Sequence, residues 1–270
     1  MKRIHFFILI LLGLGLVSCE EVIDVDTPPN VEKFVIEGAI TTETDSSFIR
    51  LTKSVPYFEN TKTTPLVTDA VVTVNGVLFS YTGNDGIYKA AVPYVGVTGQ
   101  TYNLLVKHDG KEYTSSSILD PLFTIDTVIS VYKEEQGFLE AGYTVKYTAT
   151  DNRPPVKYTY FRFGYKNEED TKGLDSLNEF KVLFDNRNSK TPYEFEIPFL
   201  RLQPNDTALM IFRSIDETVN RFYQAWNNRE NGGGPFSTPP ANLPTNIKGP
   251  NALGLFAAYD VKRFRTRIVK

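Results

Sequence analysis

The sequence predicts a mainly β protein: a β-sandwich over residues 31–120, then a second antiparallel β domain over residues 121–270 carrying one amphipathic helix near 214–228. Three observations carry this expectation. Short runs of β-branched and aromatic residues recur between Gly, Asn and Asp turns. Tyr143, Val145, Tyr147 and Ala149 alternate strictly with Thr144, Lys146, Thr148 and Thr150, the period of a half-buried strand. One stretch has helical spacing instead: Ile215, Val219, Phe222, Tyr223 and Trp226 fall on one face of a 3.6-residue repeat.

The chain opens with Lys2 and Arg3, an apolar run from Ile4 to Val17, and then Ser18 and Cys19. A positive start, a short apolar core and a small residue before a cut site make a secretory signal, and the run is too short for a spanning helix. Leu16-Val17-Ser18-Cys19 resembles a bacterial lipobox. That resemblance implies cleavage before Cys19 and acylation of its thiol, with residues 1–18 as signal peptide. Residues 19–30 follow as an anchor and tether: Glu20, Glu21, Asp24 and Asp26 lead into Thr27-Pro28-Pro29-Asn30, an acidic, Pro-containing spacer. Acidic residues directly after the acylated cysteine also resemble the surface-export signal of Bacteroidota lipoproteins. This favours the cell surface over the periplasmic face.

In the mature chain, Phe34 to Gly38, Phe48 to Leu51 and Ala70 to Val74 read as strands. Asn75-Gly76 supplies a hairpin turn into Val77 to Tyr81, because both residues tolerate positive φ. Gly83 to Gly86 turns again before Ile87-Tyr88. Tyr102, Leu104 and Val106 alternate with polar residues, and Asp109-Gly110 turns the chain into Glu112-Tyr113-Thr114. Leu119-Asp120-Pro121 interrupts the pattern and marks a boundary. Beyond it, Lys157 to Tyr165 carries aromatic residues on both faces and is expected to be a central strand. Lys166 to Ser176 reads as a charged loop; Phe180 to Phe184, Tyr193 to Ile197 and Thr207 to Phe212 as further strands. Ser214 and Glu217 have capping-box spacing at the start of the helix, which should end near Asn228. Leu253 to Val269 reads as a final long strand or hairpin.

Composition narrows the chemistry. Residues 1–18 hold two of the 29 basic residues and none of the 32 acidic ones, which leaves 27 against 32 and a formal charge of −5. Such a balance argues against nucleic-acid binding, which needs a clustered positive surface. Cys19 is the sole cysteine, so no disulfide forms within the chain. After removal of His5, His108 is the one histidine left, placed on a predicted surface turn; zinc and Ser-His-acid chemistry lack their parts. Glu168, Glu169, Asp170 and Asp175 offer the oxygen ligands that calcium prefers but lack the EF-hand order, so a solvated loop is the expectation and a calcium site the alternative. Gly232-Gly233-Gly234 follows a helix instead of opening one, so it is not a phosphate loop. No cofactor, metal or catalytic residue is expected. Arg263, Arg265 and Arg267 share one face of a strand, which reads as a solvated edge guarded by charge, with contact to an acidic partner or to lipid phosphates as the sharper alternative. Pro235 and Phe236 offer an aromatic loop of the kind enriched at interfaces.

Two resemblances extend this reading. Ala70 to Val74, Gly86-Ile87-Tyr88, Gly99-Gln100-Thr101-Tyr102 and Gly110 to Tyr113 resemble the carboxypeptidase-regulatory or transthyretin-like sandwich, an Ig-like fold that implies no activity. Glu37-Gly38, the aromatic helix after Ser214, Gly234-Pro235-Phe236-Ser237, Thr245-Asn246-Ile247 and Leu253 to Phe256 are similar to a family of Bacteroidota lipoproteins known as a domain of unknown function. Gly234 and Lys248-Gly249-Pro250 depart from that family's pattern. The resemblance implies an outer-membrane lipoprotein encoded beside a TonB-dependent receptor. The expectation is thus a non-enzymatic accessory of a TonB-dependent barrel; a glycan- or peptide-binding module is the alternative, and a carboxylate-based hydrolase the more remote one.

Overall fold

The computed structural model describes residues 32–55, 63–166, 178–187, 191–197, 200–231 and 243–269. The described residues form fifteen strands and one helix. In chain order they are β1 (Phe34–Thr41), β2 (Phe48–Lys53), β3 (Val71–Val74), β4 (Val77–Tyr81), β5 (Ile87–Ala90), β6 (Thr101–His108), β7 (Lys111–Ile118), β8 (Thr124–Lys133), β9 (Gly142–Thr150), β10 (Tyr158–Lys166), β11 (Asn178–Asp185), β12 (Tyr193–Glu196), β13 (Thr207–Ile215), α1 (Glu217–Asn231), β14 (Ala252–Tyr259) and β15 (Val261–Arg267). The mainly β expectation holds, and residues 32–270 form one compact unit.

The first sheet has eight strands in the order β14-β1-β2-β5-β4-β3-β6-β7. The expected turns make its hairpins: Asn75 and Gly76 take φ of 48° and 80°, and Asp109 and Gly110 take 50° and 68°. Two consecutive positive φ values match the right-handed twist of the flanking strands. Alternate residues of every strand meet in one core, including Ile36, Ile49, Val72, Phe79, Tyr88, Leu104, Tyr113 and Phe256. A single sheet can share one core among all its strands only by folding over on itself. Its two edges are then drawn together. Thr114 and Lys248 exchange backbone hydrogen bonds of 2.9 and 2.8 Å, which lays residues 245–248 along β7. On the other side, the Asn246 carboxamide accepts from Phe256 N–H at 2.9 Å and donates to the Phe256 carbonyl.

The second sandwich packs the four-stranded sheet β11-β10-β13-β15 against the three-stranded sheet β12-β9-β8. Val145, Tyr147 and Ala149 of β9 point inward as expected, against Phe161, Phe163, Met210 and Phe212. β10 lies between β11 and β13, and it is aromatic on both faces because a separate cluster covers each face. Phe161 and Phe163 enter this core, while Tyr160 enters a third cluster with Ile211, Ile215, Val219, Ala257 and Tyr259. That cluster joins the back of the four-stranded sheet to α1 and β14.

Three readings need correction. The helix is capped by Asp216, whose Oδ1 accepts from Val219 N–H at 2.9 Å, and not by Ser214. Ser214 is fully buried in β13, where its hydroxyl accepts from Asp260 N–H at 2.9 Å. The carboxylate wins because it satisfies a free helix amide and favours the positive end of the helix dipole. Leu253 to Val269 is neither one strand nor a hairpin. β14 pairs in parallel with β1, whereas β15 pairs antiparallel with β13, so the chain changes sheet at Asp260. Residues 121–270 therefore supply strands to both sandwiches. Finally, His108 sits at a turn, but its side chain is only 10% exposed. It stacks on Phe34 with ring centroids 5.3 Å apart, and its Nε2 lies 3.1 Å from Asp69.

The crossing at Asp260 is held by a compact polar joint. Asp260 Oδ2 accepts from Leu122 N–H at 2.8 Å, and Oδ1 accepts from Thr42 Oγ1 at 3.1 Å. Thr42 Oγ1 also accepts from Val261 N–H at 3.1 Å. Backbone groups freed where a ladder ends are thus paired with side chains, as burial requires.

Candidate functional site

The parallel pair β1–β14 has two faces. Phe34, Ile36, Ile40, Phe256 and Ala258 fill the first core, while Val35, Glu37, Ala39, Leu253, Leu255 and Tyr259 point the other way. At the Tyr259 end that second face is covered by α1 and β13. At the Leu253 end those elements do not cover it, and among the described residues a cleft of about 870 Å³ opens between the sheet and the helix. Gly254 is essential to its shape. It has φ of 114°, and a Cβ there would collide with the backbone of Ile36.

The helix wall is aromatic. Val219 is fully buried and Tyr223 stacks on Tyr160, ring centroids 4.6 Å apart. These contacts orient α1 so that Phe222 and Trp226, 6.2 Å apart, border the cleft. Trp226 is the chain's one tryptophan, and it remains 43% exposed. A large aromatic side chain left half in water beside a cavity is available for contact.

The charges differ in how they are held. Glu37 pairs with Arg50 at 2.9 Å, and Glu43 holds Arg263 through two hydrogen bonds. Arg50 is raised above its ordinary range by hydrogen bonds from its guanidinium to Asp85 and then Glu37. Lys89 donates to the Asp45 carbonyl at 2.9 Å. Arg213 is different. Leu209, Ile211 and Ile215 share its face of β13, so a guanidinium occupies a position where the pattern calls for an apolar residue. It is half-buried, and lies 5.6 Å from the ring centroid of Tyr259 and 6.0 Å from that of Tyr160. The rings offer cation–π attraction, but no carboxylate pairs with Arg213 among the described residues. Burial, and then neighbouring groups that include Tyr223, push the Tyr259 hydroxyl well above its usual range, so this ring stays neutral. Arg229, in the last turn of α1, is a second cation on the lining.

Of the expected site residues, Arg263, Arg265 and Arg267 do share the exposed face of β15, an edge strand. Arg263 reaches the cleft but is engaged by Glu43, and Arg267 donates to Asn205 at 3.0 Å. Cys19, Pro235, Phe236 and the Glu168, Glu169, Asp170, Asp175 group lie outside the described residues. Arg213 was not singled out from the sequence, although its signal was there: a charge breaking the apolar alternation of one strand face. Among the described residues no group of three or more His, Cys, Asp or Glu side chains is placed to hold a metal ion, and no helix is long and apolar enough to cross a membrane. The arrangement of aromatic wall, apolar sheet and two guanidinium groups is suited to holding a ligand.

No curated protein matches this chain. A solved structure from Bacteroides vulgatus, described as a candidate pore-forming toxin, is 11% identical over 90% of this chain and 94% of its own, with a TM-score of 0.18, too low to carry an argument. A family model, in contrast, matches residues 20–265, from the residue after Cys19 almost to the end of β15. By that match the chain belongs to the family described as Domain of unknown function (DUF4249).

Proposed function

We propose that the protein is a non-enzymatic outer-membrane lipoprotein, anchored through Cys19 at the cell surface, that captures cargo in the α1–β14 cleft and presents it to a TonB-dependent barrel. The observation that carries this reading is the cleft itself. It joins a half-exposed Trp226 to Arg213, a half-buried guanidinium with no carboxylate partner among the described residues. Polar groups of this kind in an apolar concavity fix the orientation of a bound molecule. The lipobox-like Leu16 to Cys19 and the acidic spacer after it support the address. Two acyl chains give stable attachment where one gives only reversible binding. The β15 arginines, together with Pro235 and Phe236, are the proposed contact with the barrel.

The test is purification of the tagged full chain from native outer membranes in mild detergent. A TonB-dependent barrel should co-purify, and Cys19→Ala should release the protein from the membrane fraction. Recovery as a free monomer across several detergents would sink the accessory role. The exposed Trp226 face in a concave site also favours a second reading, a glycan- or peptide-binding module that works without a barrel. Ligand binding with no barrel recovered would select it.

A further inference from the structure

We infer that the cleft takes an amphipathic organic anion: a carboxylate received by Arg213 and an apolar body laid against Trp226, Phe222 and Leu255. The inference rests on the capture reading above and specifies the chemistry of the cargo. Arg213 stands on a strand face otherwise filled by Leu209, Ile211 and Ile215, between the rings of Tyr160 and Tyr259. A cation at such a position loses hydration, and ring contacts recover only part of it. The other acidic and basic side chains of the lining are Glu37, Glu43, Asp45, Lys89, Arg229 and Arg263. Glu37 and Glu43 already hold Arg50 and Arg263, whereas Arg229 adds a second positive charge at the end of α1 without an acidic partner among the described residues. The unmet charge of the cleft is therefore mainly positive; Asp45 is the acidic group on its rim, beside Lys89.

Guanidinium geometry favours a planar oxyanion, which it binds through two parallel hydrogen bonds. The body of the ligand is set by the walls. Phe222 and Trp226 on one side and Leu253 and Leu255 on the other are apolar and lie within reach of the same space. A volume of about 870 Å³ falls in the range of pockets for small organic ligands. A neutral ligand with the same body would leave Arg213 unmatched, and an inorganic anion would leave the aromatic wall empty.

Because Trp226 is the one tryptophan, its emission reports on the cleft directly. The full mature chain is titrated with decanoate and 3-phenylpropanoate, and separately with decanol and 3-phenylpropanol, which keep the apolar bodies and remove the charge. At least one acid should shift the Trp226 emission saturably, and its alcohol should bind at least about tenfold more weakly. The decanoate and phenylpropanoate arms separate an alkyl body from a ring. Arg213→Gln should weaken the acid by at least about tenfold and leave the alcohol unchanged. Equal binding of acid and alcohol, no saturable shift with either acid, or an unchanged acid affinity in Arg213→Gln would each overturn the inference. If Arg213→Gln fails to unfold cooperatively, the acid–alcohol comparison on the native protein decides alone. The two readings fail separately: a barrel that co-purifies with a protein blind to both acids removes the cargo chemistry, and acid binding without a barrel removes the accessory role.

Discussion

Asp260→Ala should destabilise the protein by about 3–5 kcal/mol. Its carboxylate accepts two hydrogen bonds, from Leu122 N–H at 2.8 Å and Thr42 Oγ1 at 3.1 Å. Bonds to an ionised acceptor contribute about 1.5–3 kcal/mol each, and a buried amide left without a partner costs about 1–3 kcal/mol. Leu122 is 7% exposed, so its amide has little access to water once the carboxylate is gone. Thr42 retains its bond from Val261 N–H at 3.1 Å and suffers less. The lower end of the range allows for partial rehydration of the joint. In a unit of this size each kcal/mol moves the melting temperature by about 2–4 °C, so the expected fall is roughly 6–20 °C. Urea unfolding followed by Trp226 emission and by circular dichroism measures the change, and Asp260→Asn, which keeps one acceptor oxygen, should lie between Ala and wild type. A loss under 1 kcal/mol in Asp260→Ala would refute the view that this carboxylate holds the strand crossing.

Gly254→Ala should be still more damaging. Its φ of 114° and the approach of the Ile36 backbone leave no space for a methyl group, so soluble expression or the thermal transition should be lost unless β14 shifts. Tyr193→Phe should be neutral or stabilise by up to about 1 kcal/mol in chemical denaturation, since the Tyr193 hydroxyl is buried without a hydrogen-bond partner among the described residues. Asp151 supplies a pH dependence. Burial raises its carboxyl, but hydrogen bonds from Arg153 outweigh this and hold it below the usual carboxylate range. Its contribution is thus present above the unfolded value near 4 and is lost as pH falls through the lower folded value. Asp151→Asn should flatten the loss of stability in acid over that window, measured by melting temperature from pH 5 to 2; an unchanged acid slope would contradict the assignment.

What could be read from the sequence depended on the range of the interaction that fixed it. Turns at Asn75-Gly76 and Asp109-Gly110 need only the backbone freedom of two residues, and the face of β9 needs only alternation. The aromatic residues on both sides of Lys157 to Tyr165 correctly indicated a strand covered twice. The change of sheet at Asp260 was not legible. β14 is held by β1, more than two hundred residues away, and although apolar Ala252–Tyr259 differs from the alternating charges of Val261–Arg267, that contrast does not name the partner strand of either. The cap was misread because Ser214 and Glu217 have the right spacing, while Asp216 has the better charge and Ser214 is needed by Asp260. The cleft was half visible. Trp226 was on the helical face, but its exposure follows from how Tyr223 docks on Tyr160. Arg213 broke a strand pattern that was clear only once the strand's second face was known to be covered.

The Asn246 carboxamide, bound to both polar atoms of Phe256, bears on how the molecule meets others. An unpaired strand edge is a template for the next chain. Here a side chain stands in for a neighbouring strand at Phe256, and the Ser117 hydroxyl, accepting from Ala258 N–H at 3.0 Å, does the same one repeat later. For a protein tethered in the plane of a membrane, as proposed, copies collide often and in similar orientation. Sealing this seam from within removes the β14 edge as a template for such encounters, and leaves recognition there to side chains on the faces.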